Sequence, residues 1–164
     1  MEPRRSWSNV DEIVTIALAR ANNFLKHHRV RVELEKDLPA IRVDEKAMAE
    51  VIYVLVENAT KYSPANTVIT VSASKSGKET VQISVEDQGT GIPVDFRERV
   101  FEKFFRLSEP SLPARGAGLG MGLAIARGIV EAHKGRIWVE SPKSGQGTRI
   151  SLTIPLQDYQ LMKQ

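Results

Sequence analysis

Residues 87–91 form the segment whose residue types most clearly suggest chemistry, an aspartate followed by two alternating glycines. The segment comes directly after an alternating apolar run, which is typical of a strand. A carboxylate at a strand end can accept a hydrogen bond from an exocyclic amine, and glycine lets the backbone pass flat beside a planar ring. This pattern predicts a pocket for a nucleotide base, with a simple turn as the alternative because Asp and Gly are common turn residues.

A second candidate cluster closes a predicted helix, where Asn58, Lys61 and Tyr62 share one face because helical neighbours lie three and four residues apart. An amide oxygen suits Mg²⁺, an ammonium group suits phosphate, and an aromatic ring offers a flat surface to a purine. In the structural alternative, Glu57 and Lys61 form a surface ion pair and Tyr62 anchors the helix end. Taken without other signals, this alternative is the favoured interpretation.

A glycine-rich run at residues 116–123 precedes a segment with the apolar spacing of a helix. Such a turn exposes backbone N–H groups at the positive end of the helix, which predicts a site for phosphates. A dinucleotide-binding fold is excluded by context, because its glycine turn leaves a strand directly and residues 108–115 are proline-rich here. A flexible linker is the remaining alternative, and the amphipathic helix that follows makes it less favoured.

Three phenylalanines and two cationic residues cluster at residues 101–106. We expect the rings to belong to the core beneath the loop that follows. Arg106 differs from them, because a guanidinium at the hinge of a mobile loop can contact a terminal phosphate.

The elements that must position these groups follow from hydrophobic periodicity. Helical spacing, together with start and stop signals, predicts helices over residues 10–25, 44–62, 93–101 and 121–133. Alternation and turn residues predict strands over residues 29–35, 68–74, 80–87, 137–140 and 148–154. Because this order gives the helices a single sheet to cover, we predict an α+β two-layer sandwich, with a mixed, mostly antiparallel sheet covered on one face.

Composition fits one globular domain, since 41% of the 164 residues are hydrophobic and 26% are charged. The 23 basic and 20 acidic residues are scattered, so nucleic acid is not predicted as a partner. The chain has no cysteine, which excludes disulfides, thiolate metal sites and cysteine nucleophiles and fits a cytoplasmic location. No apolar run approaches the roughly 20 residues that cross a bilayer, so we expect no direct membrane contact. We predict a linker at residues 1–9, a domain at residues 10–156 and a tail at residues 157–164.

Four segments, in this order, resemble the four boxes of the ATP-binding catalytic domain of sensor histidine kinases, which has the Bergerat fold of the GHKL superfamily. The segments that resemble the N, G1, F and G2 boxes are residues 57–64, 87–91, 101–106 and 118–123. Residues 145–148 also resemble the family's terminal glycine-threonine turn, and the similarity extends over about residues 10–155. Residues 57–62 and 128–133 are similar to potassium-responsive members.

The chain departs from the family pattern at two places. Val54 stands where many members carry an earlier asparagine of the N box, which removes a second polar contact near the metal. The loop between Arg106 and Gly118 is short, so we expect only partial closure over the nucleotide.

The resemblance implies a role for each site residue. Asp87 accepts from the adenine amine, Tyr62 flanks the base, and Asn58 holds Mg²⁺ between the phosphates. Lys61 and the glycine amides neutralise the polyphosphate. The residues implied as catalytic are Asn58, Lys61 and Arg106. The residues implied to bind ATP are Asn58, Lys61, Tyr62, Asp87, Gly89, Gly91, Ile92, Gly118, Leu119, Gly120, Gly122, Leu123 and Thr148.

The phosphate-accepting histidine of the family has no counterpart in this chain. By their neighbours and positions, His27, His28 and His133 are predicted to be structural or exposed. The resemblance therefore implies two partners for the domain. These are a dimerisation and histidine-phosphotransfer domain of the same membrane-anchored parent, and a response regulator downstream. Two alternatives remain, an anti-sigma-type serine kinase and a non-catalytic interaction module of the same fold that uses the loop at residues 107–115.

Overall fold

Helices and strands alternate along the part of the chain that the computed structural model describes, residues 1–105 and 121–156. The strands are β1 (Ser6–Ser8), β2 (Arg29–Leu34), β3 (Ile41–Val43), β4 (Val68–Ser76), β5 (Thr80–Asp87), β6 (Arg136–Glu140) and β7 (Thr148–Pro155). The α-helices are α1 (Val10–Arg20), α2 (Glu45–Tyr62) and α3 (Gly122–Ala132). Short 3-10 turns occur at Phe24–His27, Val94–Phe96 and Arg99–Phe101. The predicted tail, residues 157–164, lies outside the described residues.

The main sheet has five strands in the order β2-β4-β5-β7-β6. β2 runs parallel to β4, and the other neighbours are antiparallel, as the sequence predicts. The β4–β5 hairpin turns at Gly77, whose φ of 69° suits a residue without a Cβ. At the other end of β5, the candidate Asp87 pairs with Thr148, the first residue of β7.

Helices cover one face of this sheet. Along β4, Ile69, Val71 and Ala73 are buried, whereas the alternate positions between them are only partly buried. α2 packs against β4 and β5 and also against α1 and α3. Ile52 and Leu55 of α2 join the sheet residues in one buried cluster. This arrangement confirms the predicted α+β two-layer sandwich.

Two predicted helices end differently in the structure. α1 ends at Arg20, because Asn22 and Asn23 follow and asparagine favours turns over helix interiors. Residues 93–101 form two 3-10 turns where the sequence predicts one short helix. The prediction that the three rings of residues 101–105 are core holds for Phe101 and is wrong for Phe104, which is 66% exposed.

Residues 1–9 contain a strand where the sequence predicts a linker. β1 pairs with β3 in a small antiparallel sheet of its own. Three residues without a clear alternation give too weak a signal to predict a strand. The pairing brings this segment beside the start of α2, where the N–H of Arg4 donates to the carboxylate of Asp44.

Within residues 1–105 and 121–156, the structure contains no helix that combines the length and the apolar character needed to span a membrane.

Candidate functional site

Asp87 is the last residue of β5 and lies opposite Thr148, the first residue of β7. Its side chain is almost fully buried, with 4% exposed. The N–H of Gly89 donates to Oδ1 of Asp87 at 2.8 Å. The backbone N–H of Thr148 also bonds the Asp87 carboxyl group. Two backbone donors therefore fix the carboxylate at the end of the central strand of the sheet.

The surroundings of Asp87 favour its neutral form more than water does. Burial raises the pKa of Asp87 above its ordinary value, and the neighbouring charge of Glu86 adds to the rise. The N–H groups of Gly89 and Thr148 oppose this rise, as does His28. When ionised, a carboxylate in such a place is a strong acceptor for a desolvated hydrogen-bond donor.

Gly89 brings the loop after β5 into contact with the end of α2. A Cβ built on Gly89 would overlap the backbone carbonyl oxygen of Tyr62 and would lie 3.0 Å from Oδ1 of Asp87. Any residue other than glycine would therefore push the loop away from the helix. This close approach places Asp87 and the exposed ring of Tyr62 at the same corner of the molecule.

Gly147 is a site residue that the sequence prediction missed, although it lies in the glycine-threonine turn that precedes Thr148. Its φ is 108°, and a Cβ on it would overlap the carbonyl oxygen of Asp87. Gly91, with a φ of 85°, has its Cβ position 3.0 Å from the carbonyl oxygen of Gly147. The turn before β7 thus packs directly on the loop after β5, and side chains at these glycines would separate the two.

Two of the polar side chains at the end of α2 form an ion pair with each other. Nζ of Lys61 lies 3.0 Å from Oε1 of Glu57, which is the ion pair of the structural alternative. Asn58 is half-buried, and Tyr62 is 45% exposed. The exposed fractions of the Lys61 and Glu57 side chains, 23% and 28%, leave both within reach of solvent.

The start of α3 contacts α2 one helical turn before Asn58. A Cβ on Gly122 would lie 3.2 Å from Cγ1 of Val54. Asn58 follows Val54 by four residues, so the two share one face of α2. Val54 is therefore a packing residue against the start of α3. Leu123 is partly buried and packs against the core.

The comparisons with known proteins agree with this geometry. Residues 43–158 match the family described as histidine kinase-, DNA gyrase B- and HSP90-like ATPases, which is most of the chain. The chain belongs to this ATPase family.

Relatives of the ATPase domain include the adaptive-response sensory kinase SasA of Synechocystis sp., 39% identical over 142 residues, or 86% of this chain and 36% of SasA. The mycobacterial sensor histidine kinase MprB has a similar structure, with a TM-score of 0.76 and 28% identity over 94% of this chain and 96% of MprB. The histidine kinase ThkA, solved in complex with the response regulator TrrA, is similar to this chain in fold only. It has a TM-score of 0.77 and 22% identity, covering 94% of this chain and 42% of that one.

These matches confirm the resemblance to the ATP-binding catalytic domain of sensor histidine kinases and its fold. Because the matched family consists of ATPases, ATP is the ligand of the domain. The ATPase domain spans about a third of the length of the curated relatives it matches.

The structure brings Asp87, Gly89 and the backbone of Tyr62 together at the end of α2. The predicted site residues that it describes are Asn58, Lys61, Tyr62, Asp87, Gly89, Gly91, Ile92, Gly122, Leu123 and Thr148. The others, Arg106, Gly118, Leu119 and Gly120, lie outside the described residues. Among the residues that are described, no group of three or more His, Cys, Asp or Glu side chains could hold a metal ion.

Proposed function

We propose that this ATPase domain binds Mg-ATP beside Asp87 and presents the γ-phosphate to a histidine on a separate dimerisation domain. The observation that carries this proposal is the carboxylate of Asp87, buried at the end of β5 and fixed by two backbone donors. A carboxylate has more lone pairs than these two backbone donors use, so a donor group of a ligand can bond it as well. The exocyclic amine of adenine supplies such a donor.

The adenine subsite is built from the loops around Asp87. Gly89 and Gly91 let this loop pack closely against Tyr62 and Gly147, because side chains there would meet backbone atoms, and we infer that the base lies flat beside the loop. Tyr62 covers one side of the base, and Ile92 supplies an apolar contact from the partly buried start of the next segment. Thr148 holds the carboxylate through its N–H, and we infer that its hydroxyl supports the same group.

The phosphate and metal subsite lies along α2 toward the start of α3. The amide oxygen of Asn58 fits Mg²⁺, which takes one or two protein oxygens and completes its shell with phosphates and water. The ammonium group of Lys61 would neutralise the phosphates in exchange for its ion pair with Glu57. Arg106 and the amides of Gly118, Leu119, Gly120, Gly122 and Leu123 complete the proposed set. Bound Mg²⁺ would supply charge neutralisation at the transferring phosphoryl group.

The phosphoryl acceptor must come from another domain. His133 is buried, with Nδ1 2.8 Å from the carbonyl oxygen of Ile129 and Nε2 3.0 Å from the N–H of Asp44. Nε2 of His28 lies 3.1 Å from the Ser63 hydroxyl. These contacts support a structural role for both side chains. The ThkA–TrrA complex supports a response regulator as the second partner of the parent protein. The potassium-responsive subfamily and a membrane-anchored parent stay predictions.

The proposal is tested by calorimetric titration of the domain and of Asp87→Asn with Mg-ATP and Mg-GTP. We expect wild type to prefer ATP and Asp87→Asn to lose roughly tenfold to a hundredfold in ATP affinity, because a bond to a charged acceptor is lost. The matched control is Glu86→Gln, since Glu86 is the adjacent acid, pairs with Arg149 and points to the other face of the sheet. This control should bind like wild type.

Two results would contradict the proposal. An unchanged preference for ATP over GTP in Asp87→Asn would remove Asp87 from the base site. No heat from wild type at millimolar Mg-ATP would favour the non-catalytic interaction module.

A further inference from the structure

β2 lies at one edge of the five-stranded sheet, with β4 as its only neighbour among the described strands. The N–H of Arg29 donates to Thr67 O at 3.0 Å, and that of Glu35 donates to Ala73 O at 2.8 Å. In a parallel ladder, alternate residues of a strand bond to the same neighbour. The odd-numbered residues of β2 therefore bond β4, and the N–H and C=O groups of Val30, Val32 and Leu34 point away from the sheet.

The side chains of β2 are unusually exposed for a strand of this sheet. Val30 and Val32 lie on the face that carries the core, in register with the buried Ile69 and Val71, yet they are 37% and 46% exposed. Arg31 and Glu33 occupy the opposite face, with side chains 62% and 58% exposed. The strand thus offers unpaired backbone groups, an apolar stripe and alternating charges along one edge.

We propose that this edge pairs with β2 of a second copy of the chain, antiparallel and centred on Val32, to join the two sheets into one. In this register Val32 lies opposite its own equivalent, and Val30 lies opposite Leu34 of the second copy. Each of these residues exchanges both backbone hydrogen bonds with the residue opposite, because its N–H and C=O already point outward.

Charge selects this register over its neighbours. Centred on Val32, Arg31 lies opposite Glu33 of the second copy, and Glu33 lies opposite Arg31. Moving the centre by one residue keeps the outward groups paired but brings Arg31 opposite Arg31, or Glu33 opposite Glu33. Like charges directly opposite each other destabilise a strand pair, whereas opposite charges stabilise it.

Arg29 and Glu35 fall opposite each other at the ends of the same register. Each already bonds within its own chain, Arg29 to Asn66 O and Glu35 to the N–H of Lys75, so they add less to the pairing. Within one chain, Nε of Arg31 lies 3.9 Å from Oε1 of Glu33. This ion pair is long, so both side chains stay available to the second copy. A contact made by one strand from each chain is small, so the dimer should form only at high protein concentration.

The test is sedimentation equilibrium across micromolar to millimolar protein, with wild type, Arg31→Glu and Glu33→Arg. Wild type should move from the monomer mass toward the dimer mass. Each single variant places like charges opposite each other and should raise the dissociation constant roughly tenfold or more. An equimolar mixture of the two variants restores opposite charges at both positions, so it should regain association while neither variant alone does.

Two control variants separate the proposed contact from general effects. Arg136→Glu makes the same charge change as Arg31→Glu on the other edge strand and should associate like wild type. Val32→Pro removes the outward N–H at the centre and leaves the ladder to β4 intact, so it should fold normally and stay monomeric. Amide hydrogen exchange of Val30, Val32 and Leu34 should slow as protein concentration rises.

A monomer mass for wild type at millimolar concentration would overturn the proposal. So would a mixture of Arg31→Glu and Glu33→Arg that associates no better than either variant alone. Self-association that protects no amide of β2 would assign the contact to another surface.

Discussion

Asp87 shows how far a single residue can be predicted from sequence and where prediction stops. An acid after an alternating apolar run, followed by spaced glycines, predicts a carboxylate at a strand end, and the structure has it there. Its burial and its bond from Thr148 depend on a turn about 60 residues later, which no local pattern around Asp87 reveals. Gly147 was missed for the same reason, since its neighbour in space is Asp87.

The raised pKa of Asp87 gives a stability prediction with a definite sign. An acid whose folded pKa lies above its unfolded value stabilises the fold below the unfolded pKa, and that contribution is lost as pH rises through the folded pKa. Once ionised, the group therefore opposes folding. We expect Asp87→Asn to unfold at an equal or higher temperature than wild type at neutral pH, with the difference shrinking in acid. Thermal denaturation at several pH values measures this, and a variant less stable by the same amount at every pH would contradict it.

Gly147 should be intolerant of even the smallest side chain. Gly147→Ala forces a Cβ against the carbonyl of Asp87 at a φ of 108°, so we expect a loss of about 2 kcal/mol or more in unfolding free energy. The matched control is Gly128→Ala in α3, where a Cβ meets nothing within 4 Å. That control should gain about 0.5–1 kcal/mol, because alanine is the better helix former. Urea denaturation of both variants measures the two effects, and equal stabilities would refute the packing of the two loops.

At the scale of elements, the long periodic segments were predictable and the short ones were not. α2 begins and ends where its cap and its Ser-Pro stop predict, and Asp44 accepts from the N–H of Ala47 at 3.1 Å. β1 was not predicted, because its stability comes from pairing with β3 and not from its own sequence. The segment at residues 93–101 shows the same limit, since it forms two short 3-10 turns, of which Arg99–Phe101 packs against α3.

The start of α2 joins three elements through Asp44. Its carboxylate caps the helix and accepts from the N–H of Arg4, and its own N–H donates to Nε2 of His133. Burial raises the pKa of Asp44, but the N–H groups of Ala47 and Arg4 outweigh this and lower it below the ordinary value. The contribution of this carboxylate to stability is therefore present above the unfolded pKa and lost as pH falls through the folded pKa.

Asp44→Ala should cost about 1 kcal/mol of unfolding free energy, because the helix loses its N-cap. Asp44→Asn is the control, since asparagine caps nearly as well and should keep most of that stability. Chemical denaturation near neutral pH compares the three proteins. Equal losses in both variants would show that charge, and not capping, sets the contribution of Asp44.

At the scale of the whole molecule, the prediction of fold and site depended on the order of the segments along the chain. Four segments in the order of the family's boxes predicted both the sandwich and the ATP-binding corner, because this topology brings the end of α2, the loop after β5 and the turn before β7 together. The ion pair of Lys61 with Glu57 is local, since the two residues lie four apart on one helix, and spacing alone predicts it. The open edge at β2 emerges only at this scale, since strand order decides which strand lies outermost.

The most direct test of the base site is a thermodynamic cycle that removes each partner of one hydrogen bond. Wild type and Asp87→Asn are titrated with Mg-ATP and with the triphosphate of purine riboside, which lacks the exocyclic amine. Wild type should bind ATP more tightly by roughly tenfold or more, and Asp87→Asn should bind both ligands about equally, because the bond from amine to carboxylate is absent in every other combination. An ATP preference of the same size in both proteins would contradict the assignment of Asp87 as the residue that reads adenine.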